Sequence, residues 1–236
     1  METNELIQQL AAAIHHWLSY VSLCTNSNLL AESSVRYPFV EFLERKCKTA
    51  VRLEEQHNDF PARHIDFCFE NRNDFLAIEL KYASKHTRGK AEKQRVFNDL
   101  VRLALMVNNK KSTRGFFIMC GETKTFIANF MNIVDGETMG KQLRQDGGNM
   151  DRGLVQHGDY YELFFGFARD EERIINLTEN SYVEYHKSFI KDYYAGKNNV
   201  ELGFSVIKTR RISYLPAPKQ TSQSQTVAIW EVLVIK

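Results

Sequence analysis

Ile65-Asp66-Phe67-Cys68-Phe69, then Glu70-Asn71-Arg72-Asn73-Asp74, then Phe75-Leu76-Ala77-Ile78-Glu79-Leu80-Lys81-Tyr82: this stretch decides how the chain reads. Two apolar runs flank a polar turn, the pattern of a β-hairpin. Each run carries a lone acid, Asp66 or Glu79. A carboxylate buried in a strand without a partner loses its hydration at high cost. The hairpin would set these two acids side by side, and Lys81, two residues after Glu79, points to the same side of its strand. Two carboxylates and an ammonium on one patch suit a hard divalent cation and a water molecule, the chemistry of metal-assisted phosphodiester cleavage.

Alternation assigns Ile65, Phe67 and Phe69 to one side of the first strand, and Asp66 with Cys68 to the other. On the second strand Leu76, Ile78 and Leu80 share one side, and Ala77, Glu79 and Lys81 the other. The competing account is a pair of edge-strand charges facing solvent. The Ala and Cys among the polar positions favour a site.

The surroundings supply the rest of an α/β domain. Residues 4–23 carry an apolar stripe of Leu6, Leu10, Ala13, Ile14, Trp17, Leu18 and Val21, which predicts a helix. A second helix is expected from Ser33 or Ser34, as N-cap, to about Lys48, with Pro38 tolerable only near its first turn. A strand over Thr49–Leu53 follows. Residues 90–108 predict a third helix with Val96, Leu100, Leu103, Ala104 and Val107 inside, and with Asp99 and Arg102 as surface neighbours. Gly115–Cys120 reads as a strand covered on both faces. Beyond it come a helix over 122–134, a glycine-rich stretch over 135–159, a strand over 160–168, a helix over 182–194 and a final strand pair over 201–214 and 226–235.

The chain of 236 residues is 43% hydrophobic and 25% charged, as expected for one domain. No apolar run approaches the ~20 residues needed to span a bilayer. The acidic start Met1-Glu2-Thr3-Asn4-Glu5 lacks the basic opening of a signal peptide. Cys24, Cys47, Cys68 and Cys120 have no paired spacing and read as buried free thiols, so a cytoplasmic protein is expected. From Lys81 to Arg114 ten basic residues face only Glu92 and Asp99, a net of +8, which leaves −6 elsewhere in a chain of formal charge +2. Such a block beside the acids suits a polyanion; a solvated helix face is the plainer account.

An Asp, a short gap and Glu-x-Lys on the next strand resembles the PD-(D/E)XK nuclease superfamily, the restriction-endonuclease-like fold. The likeness rests on Asp66, Glu79-Leu80-Lys81, a helix before, a basic helix after and a further apolar strand, over roughly residues 30–120. Ile65 stands where the name-giving proline would be. The resemblance implies an αβββαβ core with a mixed central sheet flanked by helices, an extra N-terminal helix, and an α+β extension over 121–236 packed on that core. It implies that Asp66, Glu79 and the Leu80 carbonyl hold Mg²⁺, with Mn²⁺ as substitute, and that Lys81 positions and helps deprotonate the attacking water. DNA is the implied substrate, RNA being open, and double-strand cutters of this kind are often homodimers.

This family often draws another acid from the preceding helix. Among Glu32, Glu41 and Glu44, only Glu32 falls roughly 30° from the centre of the apolar stripe, the others being about 150° away. Glu32 is therefore the expected fourth site residue, unless it only complements the helix dipole. Arg36, one turn on, would touch a phosphate or pair with Glu32. Lys85, Arg88, Lys90, Lys93 and Gln94 are the further expected nucleic-acid contacts. Asp99 and Arg102 are expected to anchor their helix beside Lys81. The alternative function is a nucleic-acid-binding protein that keeps the fold without cleaving.

Overall fold

A computed structural model describes residues 1–24, 30–83, 89–130, 133–135, 154–157, 160–163, 171–195, 200–217 and 224–235. The hairpin is its organising unit. β2 (Phe60–Asn71) and β3 (Asp74–Ala83) pair antiparallel, from Phe67 opposite Ile78 to Asn71 opposite Asp74. The turn is tighter than expected: only Arg72 and Asn73 lie between the strands, and Arg72 adopts φ 56. A two-residue turn needs that left-handed backbone to follow the strand twist. Thr3 closes the hairpin end by donating to Asp74 (2.6 Å) and accepting from Asn71 (3.0 Å).

β1 (Arg52–His57) adds an antiparallel edge to β2, three residues later than the sequence suggests. On the other side β4 (Arg114–Glu122) runs parallel to β3, which requires a crossover, and α3 (Gly89–Asn108) provides it. β10 (Gln225–Ile235), β9 (Val206–Leu215) and β8 (Glu172–Asn176) continue the sheet antiparallel, giving the order β1-β2-β3-β4-β10-β9-β8. The protein is thus α/β, with a mixed seven-stranded sheet. The C-terminal strands belong to that sheet rather than to a layer laid over it.

Helices cover both faces. α1 (Thr3–Cys24) and α2 (Glu32–Cys47) bury Leu6, Leu10, Ile14, Val35 and Phe39 against Phe67, Phe69, Ile78, Leu80 and Ile118. Phe39 stacks on Phe67 with ring centroids 3.9 Å apart, worth about 0.5–1.5 kcal/mol beyond the area buried. On the opposite face α3 and α5 (Asn180–Tyr193) bury Val96, Leu100, Ala104, Tyr185 and Phe189 with Cys68, Ala77, Phe117 and Met119. The expected alternation holds from Phe67 to Leu80. It breaks at Ile65, which packs with Cys68 on the α3 side because β2 has by then parted from β3.

Several boundaries differ from expectation. Ala31, not Ser33 or Ser34, is the N-cap of α2, and Ser34 serves from inside the first turn: its hydroxyl accepts from the Ala31 N–H (3.0 Å) and donates to the Ala31 carbonyl (2.7 Å). Pro38 stands in the second helical turn, further in than expected. The helix expected over 122–134 is α4 (Thr123–Phe130) followed by β5 (Ile133–Asp135), which joins β7 (Tyr160–Leu163) and β6 (Leu154–His157) in a separate small sheet. β8 has no forerunner in the sequence reading. Most of the glycine-rich stretch and residues 164–170 lie outside the described residues. All four cysteines are free, but only Cys68 and Cys120 are buried; Cys24 and Cys47 each end a helix, and there Cys24 is exposed and Cys47 half-buried. Among the described residues no helix is long and apolar enough to cross a membrane.

Candidate functional site

The β2–β3 ladder stops at Phe67 opposite Ile78, one step short of Asp66 and Glu79. In the gap that opens, the Asp66 carboxylate takes the place of a strand partner: its Oδ2 accepts the Leu80 N–H at 2.8 Å. Asp66 is 7% exposed and Glu79 1%, so the account of two solvent-facing edge charges does not hold.

Around these acids the elements bring six further charges. From α2, Arg36 places Nη2 2.7 Å from Asp66 Oδ1 and 3.7 Å from Glu32, while its Nη1 pairs with Glu54 on β1. From α3, Arg102 places Nη2 2.6 Å from both Glu79 and Asp99. Lys81 Nζ lies 3.6 Å from Glu32 and 3.5 Å from Asp99. Asp66, Glu79, Lys81 and Glu32 are therefore gathered at one end of the β2–β3 gap. Glu41 instead pairs with Arg45 at the surface, and the exposed Glu44 accepts the Val51 N–H.

Sequence reasoning treated Asp99 and Arg102 as a surface pair that anchors its helix. They are buried, and each also touches a site residue. Glu54 was missed. The register of Leu53 with Phe67 and of Glu55 with Ile65 sets it across from Asp66, and it has φ 51, a left-handed backbone uncommon for a non-glycine strand residue.

The expected nucleic-acid contacts fare differently. Lys93 is 4% exposed and thus no surface cation. Gln94 ties helices together, donating to Asn98 (2.7 Å) and to the Tyr185 carbonyl (3.0 Å) on α5. Arg36 is engaged by acids. Lys85 and Arg88, with the side chain of Lys90, lie outside the described residues. The basic block is no uniform face, since Arg114 too pairs with Glu231 at 2.6 Å.

Burial and like charge shape the titration. Burial raises the Glu79 carboxyl well above its usual range; Arg102 opposes this, and Asp99 and Asp66 reinforce it. Burial, then Asp66 and Asp99, also raise Glu32 against the pull of Lys81. For Lys81 burial works to lower the pKa, but Asp99, Glu32, Glu79 and Asp66 outweigh it and raise it. Four carboxylates thus favour the ammonium form of Lys81 over the effect of burial.

The donor set fits a hard divalent cation in kind. The oxygens of Asp66, Glu79 and Glu32 and the Leu80 carbonyl are hard ligands, and neither His nor Cys contributes. Among the described residues joined by these ion pairs, five acids face three cations, leaving two negative charges when all are ionised. Glu79 Oε1 is buried without a hydrogen bond; Arg102 is near enough for an ion pair, but its N–H is poorly aimed. As the side chains stand, no group of three or more such ligands among the described residues closes on a single point. No protein-family model, curated protein or solved structure matches the chain.

Proposed function

We propose that this protein is a metal-dependent nuclease of restriction-endonuclease-like fold that hydrolyses DNA phosphodiester bonds. One observation carries the reading: Asp66, Glu79, Lys81 and Glu32, from two strands and a helix, meet where the central hairpin opens. The order α2-β1-β2-β3-α3-β4, with β3 and β4 parallel, supports it, as that is the αβββαβ arrangement the motif implies.

In this reading Asp66, Glu79 and the Leu80 carbonyl would hold Mg²⁺ or Mn²⁺, which supplies Lewis-acid stabilisation of phosphate charge and a more acidic water. The chain's own groups do the rest. Lys81, kept protonated, orients the water or a phosphate oxygen as a donor rather than acting as the base. Glu32, with its carboxyl raised and Lys81 beside it, would accept the proton the water gives up. Asp99 and Arg102 position Lys81 and Glu79 without touching substrate.

The test is cleavage of plasmid and of labelled duplex, single-stranded and RNA oligonucleotides with Mg²⁺ or Mn²⁺. Asp66→Ala and Lys81→Ala should each lose about 100-fold or more; undiminished cleavage by either ends the assignment. A second reading, a nucleic-acid-binding protein that does not cut, draws on Arg36 and Arg102 already engaging Asp66 and Glu79. It expects salt-sensitive retention of DNA with no metal-dependent product.

A further inference from the structure

Arg36 touches three acids with two nitrogens. Nη1 is given to Glu54, and Nη2 stands 2.7 Å from Asp66 Oδ1 and 3.7 Å from Glu32 Oε1. Because the Leu80 N–H holds Asp66 Oδ2, Oδ1 is the oxygen left to a ligand, and Arg36 is already on it. Glu54 sits at the outer side of this arrangement, its side chain 49% exposed, whereas that of Asp66 is 10% exposed. The guanidinium thus has one hand on an inner, ligand-type oxygen and the other on an outer carboxylate.

We propose that Arg36 is the protein's own counter-cation for this site and exchanges with the divalent ion: it leaves Asp66 Oδ1, keeping its hold on Glu54, when the ion is taken up. The inference rests on Asp66 being a cation ligand, as proposed above. Arg36 and the ion are rivals for the same oxygen, and two positive charges so close repel each other. Arg36 therefore weakens cation binding and gives the buried Asp66 a counter-charge when no ion is present. Glu54 acts in the opposite sense, by giving the displaced guanidinium a place to stay.

Calorimetric titration of Mn²⁺ into the intact protein, without nucleic acid, tests this in wild type, Arg36→Gln, Glu54→Gln and Asp66→Asn. Arg36→Gln should bind Mn²⁺ roughly tenfold more tightly, the scale of one charge-assisted hydrogen bond no longer displaced. Glu54→Gln, a conservative change at a half-exposed side chain, should bind it several-fold more weakly, and Asp66→Asn should abolish uptake. If Arg36→Gln binds equally or more weakly while Asp66→Asn still abolishes uptake, Arg36 merely props Asp66, and the exchange is wrong while the site stands. An unaltered affinity in Glu54→Gln likewise overturns the exchange alone. Heat that persists in Asp66→Asn, or none from any protein, removes the cation site and the exchange together.

Discussion

Arg102 Nη2 lies 2.6 Å from Glu79 Oε1, so the most deeply buried acid of the central strand takes its counter-charge from the helix that covers it. Both partners are under a tenth exposed, and the same nitrogen also meets Asp99 at 2.6 Å. Replacing Arg102 by Met fills similar space but leaves Glu79 without a counter-charge in a dry interior, and Asp99 with Lys81 alone. Breaking such a pair from one side costs about 3–5 kcal/mol. Urea denaturation at neutral pH should show a loss of that order. The deficit should shrink in acid, because protonating Glu79 removes the charge that lacks a partner.

Glu32 and Glu41 lie on the same helix but answer to different surroundings. Glu32 lies 3.6 Å from Lys81 Nζ, whereas Glu41 makes only a surface pair with Arg45. If the site cleaves phosphodiesters, Glu32→Gln should lower the metal-dependent rate about 10–100-fold, the usual effect of losing a supporting carboxylate at a metal centre. Glu41→Gln should leave the rate unchanged and cost no more than about 0.5 kcal/mol of stability. Equal effects of the two substitutions would return Glu32 to the role of a helix-dipole charge.

The contrast between these residues shows how much the sequence could reveal. A lone acid in an apolar strand is a local anomaly, so Asp66 and Glu79 were visible from alternation alone, and helical phase separated Glu32 from Glu41. What a local pattern cannot carry is which charges from distant segments meet. Nothing in Asp-x-x-Arg distinguishes an exposed pair from one whose arginine turns inward to β3. Glu54 was hidden because β1 begins later than its composition suggests and bends through a left-handed residue. Lys93 reads as a surface cation by type, yet the packing of α3 buries it. Register was legible only where both strands alternate, which is why it failed at Ile65.

His57 gives the fold a pH dependence apart from the site. Its ring is buried and stacked on Phe60; Nε2 hydrogen-bonds to the Arg102 carbonyl (3.2 Å), and Nδ1 accepts the Asp59 N–H (3.1 Å). That pair of contacts selects the neutral tautomer with its hydrogen on Nε2. Burial accordingly lowers its pKa below the ordinary 6.5, despite the pull of the Arg102 carbonyl and Asp59. With the folded value below the unfolded one, the unfolded chain binds the extra proton first. Stability from His57 is therefore full above pH ~6.5 and falls as pH drops through that value toward the folded pKa. Melting temperature followed from pH 8 to 5 should decline less steeply in His57→Gln than in wild type. Parallel curves would show that another group sets the slope.

Gly121 tests whether the far end of the motif strand is as tightly fixed as the register implies. It pairs with Ala83 across the parallel β3–β4 ladder and holds φ 140, a backbone region that side chains avoid. A Cβ there would stand 2.2 Å from the Ala83 carbonyl oxygen and 2.7 Å from its nitrogen. These are backbone atoms of a central strand, unable to swing aside as a side-chain tip would. Gly121→Ala must either break the last pairs of the ladder or displace the end of β3, two residues beyond Lys81. Strain of this kind costs about 1–3 kcal/mol before any clash is added, so chemical denaturation should register a loss of at least ~2 kcal/mol. Should the protein instead tolerate alanine at full stability, β3 would be free to shift along β4, and the 3.5 Å approach of Lys81 to Asp99 would be a loose one rather than a fixed feature of the sheet.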